Sequence, residues 1–205
     1  MTKRPMPPIF ADTDIDDPYQ FAPAPEVYDW LHQTILNKDH DLYNEEHDHL
    51  IEHSGIAFLW AEGGFEKRGR LVLGQCELVS FKVGGWQKFR QESQMMDWFG
   101  QVPKAVITLA ADFCRDCTDS EFCALVEHEL YHLAQRQGTY GPCYDSEGNA
   151  SLQMRSHDVE EFFGVVRRYG ASADVQQMVD AANNGPTLSR ANIAHACGTC
   201  MLRLA

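Results

Sequence analysis

Several absences narrow what this chain can be. No apolar run approaches the ~20 residues that a bilayer-spanning helix needs. No apolar stretch follows Lys3 and Arg4, as one would in a secretory leader. Basic residues are scarce: 17 Lys+Arg face 30 Asp+Glu, a formal net charge of −13. That balance argues against generic binding to a phosphate backbone. No internal repeat is present. What remains is 205 residues with 44% hydrophobic and 11% aromatic content, enough to build a core, either as one domain with an appendage or as two small ones. The expectation is an acidic, soluble, intracellular protein with no membrane and no intrinsic nucleic-acid partner.

Seven cysteines make an odd number, so internal disulfides cannot pair them all. Without a leader the expected compartment keeps thiols reduced. Four fall into two Cys-x-x-Cys pairs, Cys114/Cys117 and Cys197/Cys200. Each pair has zinc-knuckle spacing, and together they are a candidate second, structural zinc site that would tie the C-terminal tail beside the middle of the chain. Cys76, Cys123 and Cys143 stand alone and read as buried apolar thiols.

Residues 1–25 concentrate proline and acid and read as an extended arm. Val27, Trp30, Leu31 and Ile35 recur at helical spacing, predicting a helix that fades near Asn37. A second helix is expected over 42–53; its His47, His49 and His53, crowded by acids, read as a solvated face or a weak second metal cluster. Ile56–Trp60, Leu71–Val79 and Val102–Ala110 read as strands, with Gly74 a possible bulge. The stretch 81–100 reads neither way, and its Trp86, Phe89, Trp98 and Phe99 default to core packing. Thr118-Asp-Ser-Glu121 is a capping box that predicts a helix running to about Gln137. A polar loop over 138–155, a helix capped by Ser156 or Asp158 and ended by Gly170, a short helix over 172–182 and a breaker at Asn183–Pro186 complete the reading.

Chemistry concentrates in His128-Glu129-Leu130-Tyr131-His132. Residues i and i+4 share a helix face, so both imidazoles can reach one metal ion. Zinc takes such nitrogens, and Glu129, beside the first ligand, can serve as general base toward a water that the metal acidifies. A third ligand is needed. His157 would complete a His₃ site, whereas Glu160 or Glu161 would complete a His₂Glu site. His157 is preferred because an early-turn histidine can swing to a neighbouring helix and leaves an acid to hold its other nitrogen. Tyr140 or Tyr144, in the loop after the helix, is a candidate oxyanion donor.

Phe122-Cys-Ala-Leu-Val126 before the motif, and His157-Asp-Val-Glu-Glu-Phe162 with Arg168-Tyr-Gly170 after it, resemble the putative phage metallopeptidase family, which is similar to the SprT-like metalloproteases. The resemblance runs from about Glu26 to Gly170. It implies an α+β, zincin-like metallopeptidase domain over 26–170, with a short, mostly antiparallel sheet packed against the His-Glu helix and a third ligand from the following helix. It also implies a protein or peptide substrate and the cytoplasm of a bacterial host. The N-terminal arm, 1–25, and a helical C-terminal extension, 171–205, flank it. The expected function is zinc-dependent peptide-bond hydrolysis. The alternative is a metal-stabilised binding or regulatory protein on the same scaffold.

Overall fold

The computed structural model describes residues 3–11, 19–51, 53, 55–67, 69–159, 166–167, 169–189 and 191. In chain order come β1 (Phe21–Pro23), α1 (Pro25–Gln33), a 3₁₀ helix (Glu45–Leu50), β2 (Ile56–Ala61), β3 (Phe65–Lys67), β4 (Arg70–Val72) and β5 (Gly74–Leu78). Then follow α2 (Gly85–Phe99), β6 (Ala105–Ala110), α3 (Ala111–Asp116), α4 (Asp119–Tyr131), the short strands β7 (Leu133–Gln135), β8 (Gln137–Gly138), β9 (Gly141–Pro142) and β10 (Leu152–Met154), and α5 (Ala173–Asn184). The architecture is α+β. No helix among the described residues is long and apolar enough to cross a membrane.

The main sheet has the order β1-β2-β6-β5. β2 and β6 pair in parallel, and the two outer pairings are antiparallel. Both central strands are apolar except at Thr108, because each face is covered. Phe58, Trp60, Ile107 and Leu109 join the main core with α1 and α4, while Ala57, Leu59 and Val106 face the other way. This is the period of two expected of strands buried on both sides.

α1 starts at Pro25, whose missing N–H costs nothing at a first helical position, and buries Val27, Trp30 and Leu31. It stops at Gln33 rather than Asn37, where Thr34 turns its hydroxyl back onto the Trp30 carbonyl at 2.7 Å. The ambiguous stretch is α2, ended by Gly100 at φ 69°, a left-handed cap that a side chain disfavours. Trp98 and Phe99 pack over the outer sheet face as expected. Trp86 and Phe89 do not: they are exposed at 83% and 62%. They occupy the first turn and a half of α2, ahead of the part that reaches the sheet.

The helix carrying the histidine motif begins as its sequence predicts. The Thr118 hydroxyl accepts from the Glu121 N–H at 3.2 Å, and the Glu121 carboxylate accepts from the Thr118 N–H at 2.8 Å. Its end differs. α4 stops at Tyr131, and residues 133–135 form β7 instead of two further helical turns. The His132 carbonyl accepts from the Arg155 N–H at 2.9 Å, and β7 then pairs with β10. Much of the expected 138–155 loop is therefore ladder, with Leu133, buried at 1% exposure, turned into the main core. Residues 155–159 are irregular, so Ser156 does not cap the expected helix, and the start that Asp158 would cap, with Glu160 and Glu161, lies outside the described residues.

Arg4 pins the N-terminal segment to the start of α4. Its guanidinium donates to the Cys114 and Cys117 carbonyls and lies 2.8 Å from the Asp119 carboxylate. Cys114 and Cys117 are buried there, and the Cys117 thiol donates to the Cys114 carbonyl at 3.7 Å. Cys197 and Cys200 lie outside the described residues. Cys76 is buried as expected, whereas Cys123 and Cys143 are only partly so.

Candidate metal centre

The apolar residues of α4 recur as Phe122, Leu125, Val126 and Leu130, and Glu129 falls on the same buried stripe. Its carboxylate side chain is fully buried against the sheet. β5 accommodates it by having glycine at position 74. A Cβ on Gly74 would lie 2.9 Å from Glu129 Oε1 and 2.9 Å from Leu125 Cδ1. Gly74 is thus a point of close approach between strand and helix, not the bulge that its position in a strand suggested.

His128 and His132 stand one turn apart on the flank of that stripe, with ring centroids 5.2 Å apart. The β7–β10 ladder returns the chain to them. From the end of β10, His157 brings its ring to 5.0 Å from that of His128 and 5.3 Å from that of His132. One ligand atom from each of the three histidines lies within 4.8 Å of the others.

This donor set fits a metal ion. His132 Nδ1 lies 2.7 Å from the Arg155 carbonyl, which can only accept, so Nδ1 carries the proton and Nε2 is left to face an ion. The Nε2 atoms of His128 and His157 are 3.1 Å apart. A tetrahedral ion with Zn–N distances of ~2.0–2.1 Å sets neighbouring nitrogens about 3.3 Å apart. The cavity beside the three rings, of about 330 Å³, is also lined by Tyr131, Arg155 and Met178.

The 3₁₀ helix supports the opposite side of α4. Asn44 caps it and donates from one amide to Glu127 Oε1 at 2.7 Å and to the Tyr131 hydroxyl at 2.9 Å. His47 packs edge-on against the Tyr131 ring at 4.6 Å. Its Nε2 lies 3.9 Å from Glu127 Oε1, the geometry of an ion pair. Burial nevertheless pushes His47 down to about 4, which leaves its imidazole neutral, and raises the Glu127 carboxyl.

The histidines of residues 47–53 are neither a solvated face nor a second metal cluster. His47 and His53 are buried. His53 donates from Nε2 to the Ala150 carbonyl at 3.1 Å and accepts at Nδ1 from the Gly55 N–H at 3.2 Å, which uses both nitrogens. His49 reaches the Leu133 carbonyl at 2.7 Å. These residues brace the short strands. Tyr140 is fully exposed at the β8–β9 turn, and Tyr144 lines a different cavity with His49 and His53, so neither adjoins the three histidines.

The model of the family described as "Putative phage metallopeptidase" matches residues 20–183. The chain belongs to that family. The family description is that of a metallopeptidase, which implies protein or peptide substrates, and the three histidines form a cluster able to hold a metal ion. No curated protein and no solved structure matches the chain.

Proposed function

We propose that this chain is a zinc-dependent peptidase of the zincin type. His128, His132 and His157 hold one catalytic zinc, and Glu129 is the general base. The observation that carries the reading is the convergence of three imidazoles beside a helix whose own buried carboxylate follows the first of them. When bound, zinc supplies a Lewis acid that polarises a carbonyl and lowers the pKa of water toward ~7.

The protein's own groups then do the rest. Glu129 accepts a proton from the attacking water and returns it to the leaving amine. Gly74 lets the carboxylate sit where it does, and Leu125 beside it keeps the site dry on the sheet side. The bond from His132 to the Arg155 carbonyl fixes the ring orientation. A short, mostly antiparallel sheet packed against the motif helix agrees with a zincin-like arrangement.

A second, structural zinc at Cys114, Cys117, Cys197 and Cys200 belongs to the same proposal. Its support is the burial of both first thiols ahead of α4 and the matching spacing in the tail.

Glu129→Gln tests the catalytic reading. It is expected to retain zinc and lose hydrolysis of a denatured protein such as casein. Activity that survives the substitution would overturn the role of Glu129. Stoichiometric zinc with no cleavage by the wild type would favour a binding protein on the same scaffold.

A further inference from the structure

Attack on an amide carbonyl places negative charge on its oxygen, and that charge needs a donor away from the base. Helix geometry defines the two sides. At ~100° per residue, Glu129 projects about 80° to one side of the line bisecting His128 and His132, and Tyr131 about 80° to the other. The Tyr131 side carries a cation: the Arg155 guanidinium stands 5.8 Å from the centroid of that ring.

Arg155 is fixed to the metal centre by its backbone. Its N–H donates to the His132 carbonyl at 2.9 Å, and its carbonyl accepts from His132 Nδ1–H at 2.7 Å. The side chain is 41% exposed and meets Asp158 at 2.6 Å. Among the described residues lining the metal cavity, it is the one with a permanent positive charge. The tyrosines that the sequence offered for this role lie elsewhere.

We infer that Arg155 is a catalytic residue, donating to the scissile carbonyl oxygen as charge develops there, on the side opposite Glu129. The inference rests on the metallopeptidase reading above. In the step it serves, the water oxygen bonds to the carbonyl carbon while the water proton passes to Glu129. The C=O π pair moves onto the oxygen facing Arg155. On collapse that pair returns, the C–N bond breaks, and the amine leaves with the proton from Glu129. The pair with Asp158 does not stand in the way: exposed ion pairs are weak, and the guanidinium has five donors to distribute.

Two small probes on the cobalt(II)-substituted full chain separate this inference from the reading beneath it. Acetohydroxamate is a planar chelator that needs only an open metal, whereas methylphosphonate is a tetrahedral anion that also needs the donor. Their dissociation constants are read from the cobalt d–d bands. In Arg155→Met, methylphosphonate is expected to weaken at least ~10-fold while acetohydroxamate is unchanged, and Arg155→Lys should recover part of the loss. Unchanged methylphosphonate binding in Arg155→Met would overturn the inference and leave the metal site standing. Equal weakening of both probes would also overturn it, since Arg155 would then act on the metal centre as a whole. Failure of both probes to bind the wild type would overturn the open metal site itself.

Discussion

Gly74→Ala is a one-methyl perturbation aimed at the base without touching a histidine. Its new Cβ would stand 2.9 Å from Glu129 Oε1, 2.9 Å from Leu125 Cδ1 and 3.1 Å from Glu129 Cγ. All three atoms belong to side chains, and Gly74 is not among the glycines with positive φ, so the strand can keep its path while the carboxylate swings aside. Overpacking by a methyl costs about 1–3 kcal/mol, and the loss of unfolded-state freedom from Gly to Ala offsets about 0.4–1 of that. A net loss of about 1–2 kcal/mol in a chain of this length lowers Tm by about 2–8 °C.

Turnover should suffer far more, because a catalytic group misplaced by about 1 Å costs ~10²-fold. The assay is casein hydrolysis alongside thermal melting and zinc content by mass spectrometry. Zinc should stay bound, melting should drop by a few degrees, and kcat should fall by about two orders of magnitude. In a Glu129→Gln background the same substitution should remove little further activity, since both changes disable one group. Wild-type turnover in Gly74→Ala would refute the placement of Glu129 under β5. Loss of zinc in step with activity would refute the separation of base from ligands.

Other expectations follow from the same contacts. Burial, then the charges of His49 and Arg155, lowers His47 to about 4. The unfolded chain takes up that proton near pH 6.5, so the stabilisation is complete above pH 6.5 and is lost as pH falls toward 4. The loss reaches about 3 kcal/mol. Urea unfolding of zinc-free protein at pH 7 and 4.5 should show it in the wild type and not in His47→Phe; equal losses in both would contradict it. Thr118→Ala removes the cap accepted by the Glu121 N–H and should cost about 1 kcal/mol by the same assay. Zinc at 100 times its Kd stabilises a site by about 2.7 kcal/mol. A chelator should therefore lower Tm by more in the wild type than in a His128→Ala/His157→Ala double variant.

Half of the candidate metal centre was legible because it is local. His128, Glu129 and His132 lie within one turn and a quarter of one helix, and the capping box announced where that helix starts. The burial of Glu129 emerges only with the structure, which sets it on the stripe of Phe122, Leu125 and Val126. The rest depends on long-range pairing with a faint sequence signature. β7 and β10 are three residues each, and Leu133-Ala-Gln135 favours helix on its own. Only the pull of Arg155 on the His132 carbonyl, and of Ser151 on the Arg136 N–H at 2.7 Å, turns that stretch into a strand. His157 was expected from a helix's first turn and instead arrives from the end of that ladder. Arg155 and Asn44 carried no motif, and their roles emerge only from what they touch. The histidines at 47–53 looked solvated because Glu45, Glu46 and Asp48 are exposed while His47 and His53 turn inward.

The proposed chemistry requires three histidines to share one ion. Zinc per chain, measured by mass spectrometry on purified wild type, His128→Ala, His132→Ala and His157→Ala, tests that directly. The expected result is that each substitution lowers the wild-type zinc content by one. An unchanged zinc content in His157→Ala would contradict it, and with it the third ligand on which the proposed chemistry depends.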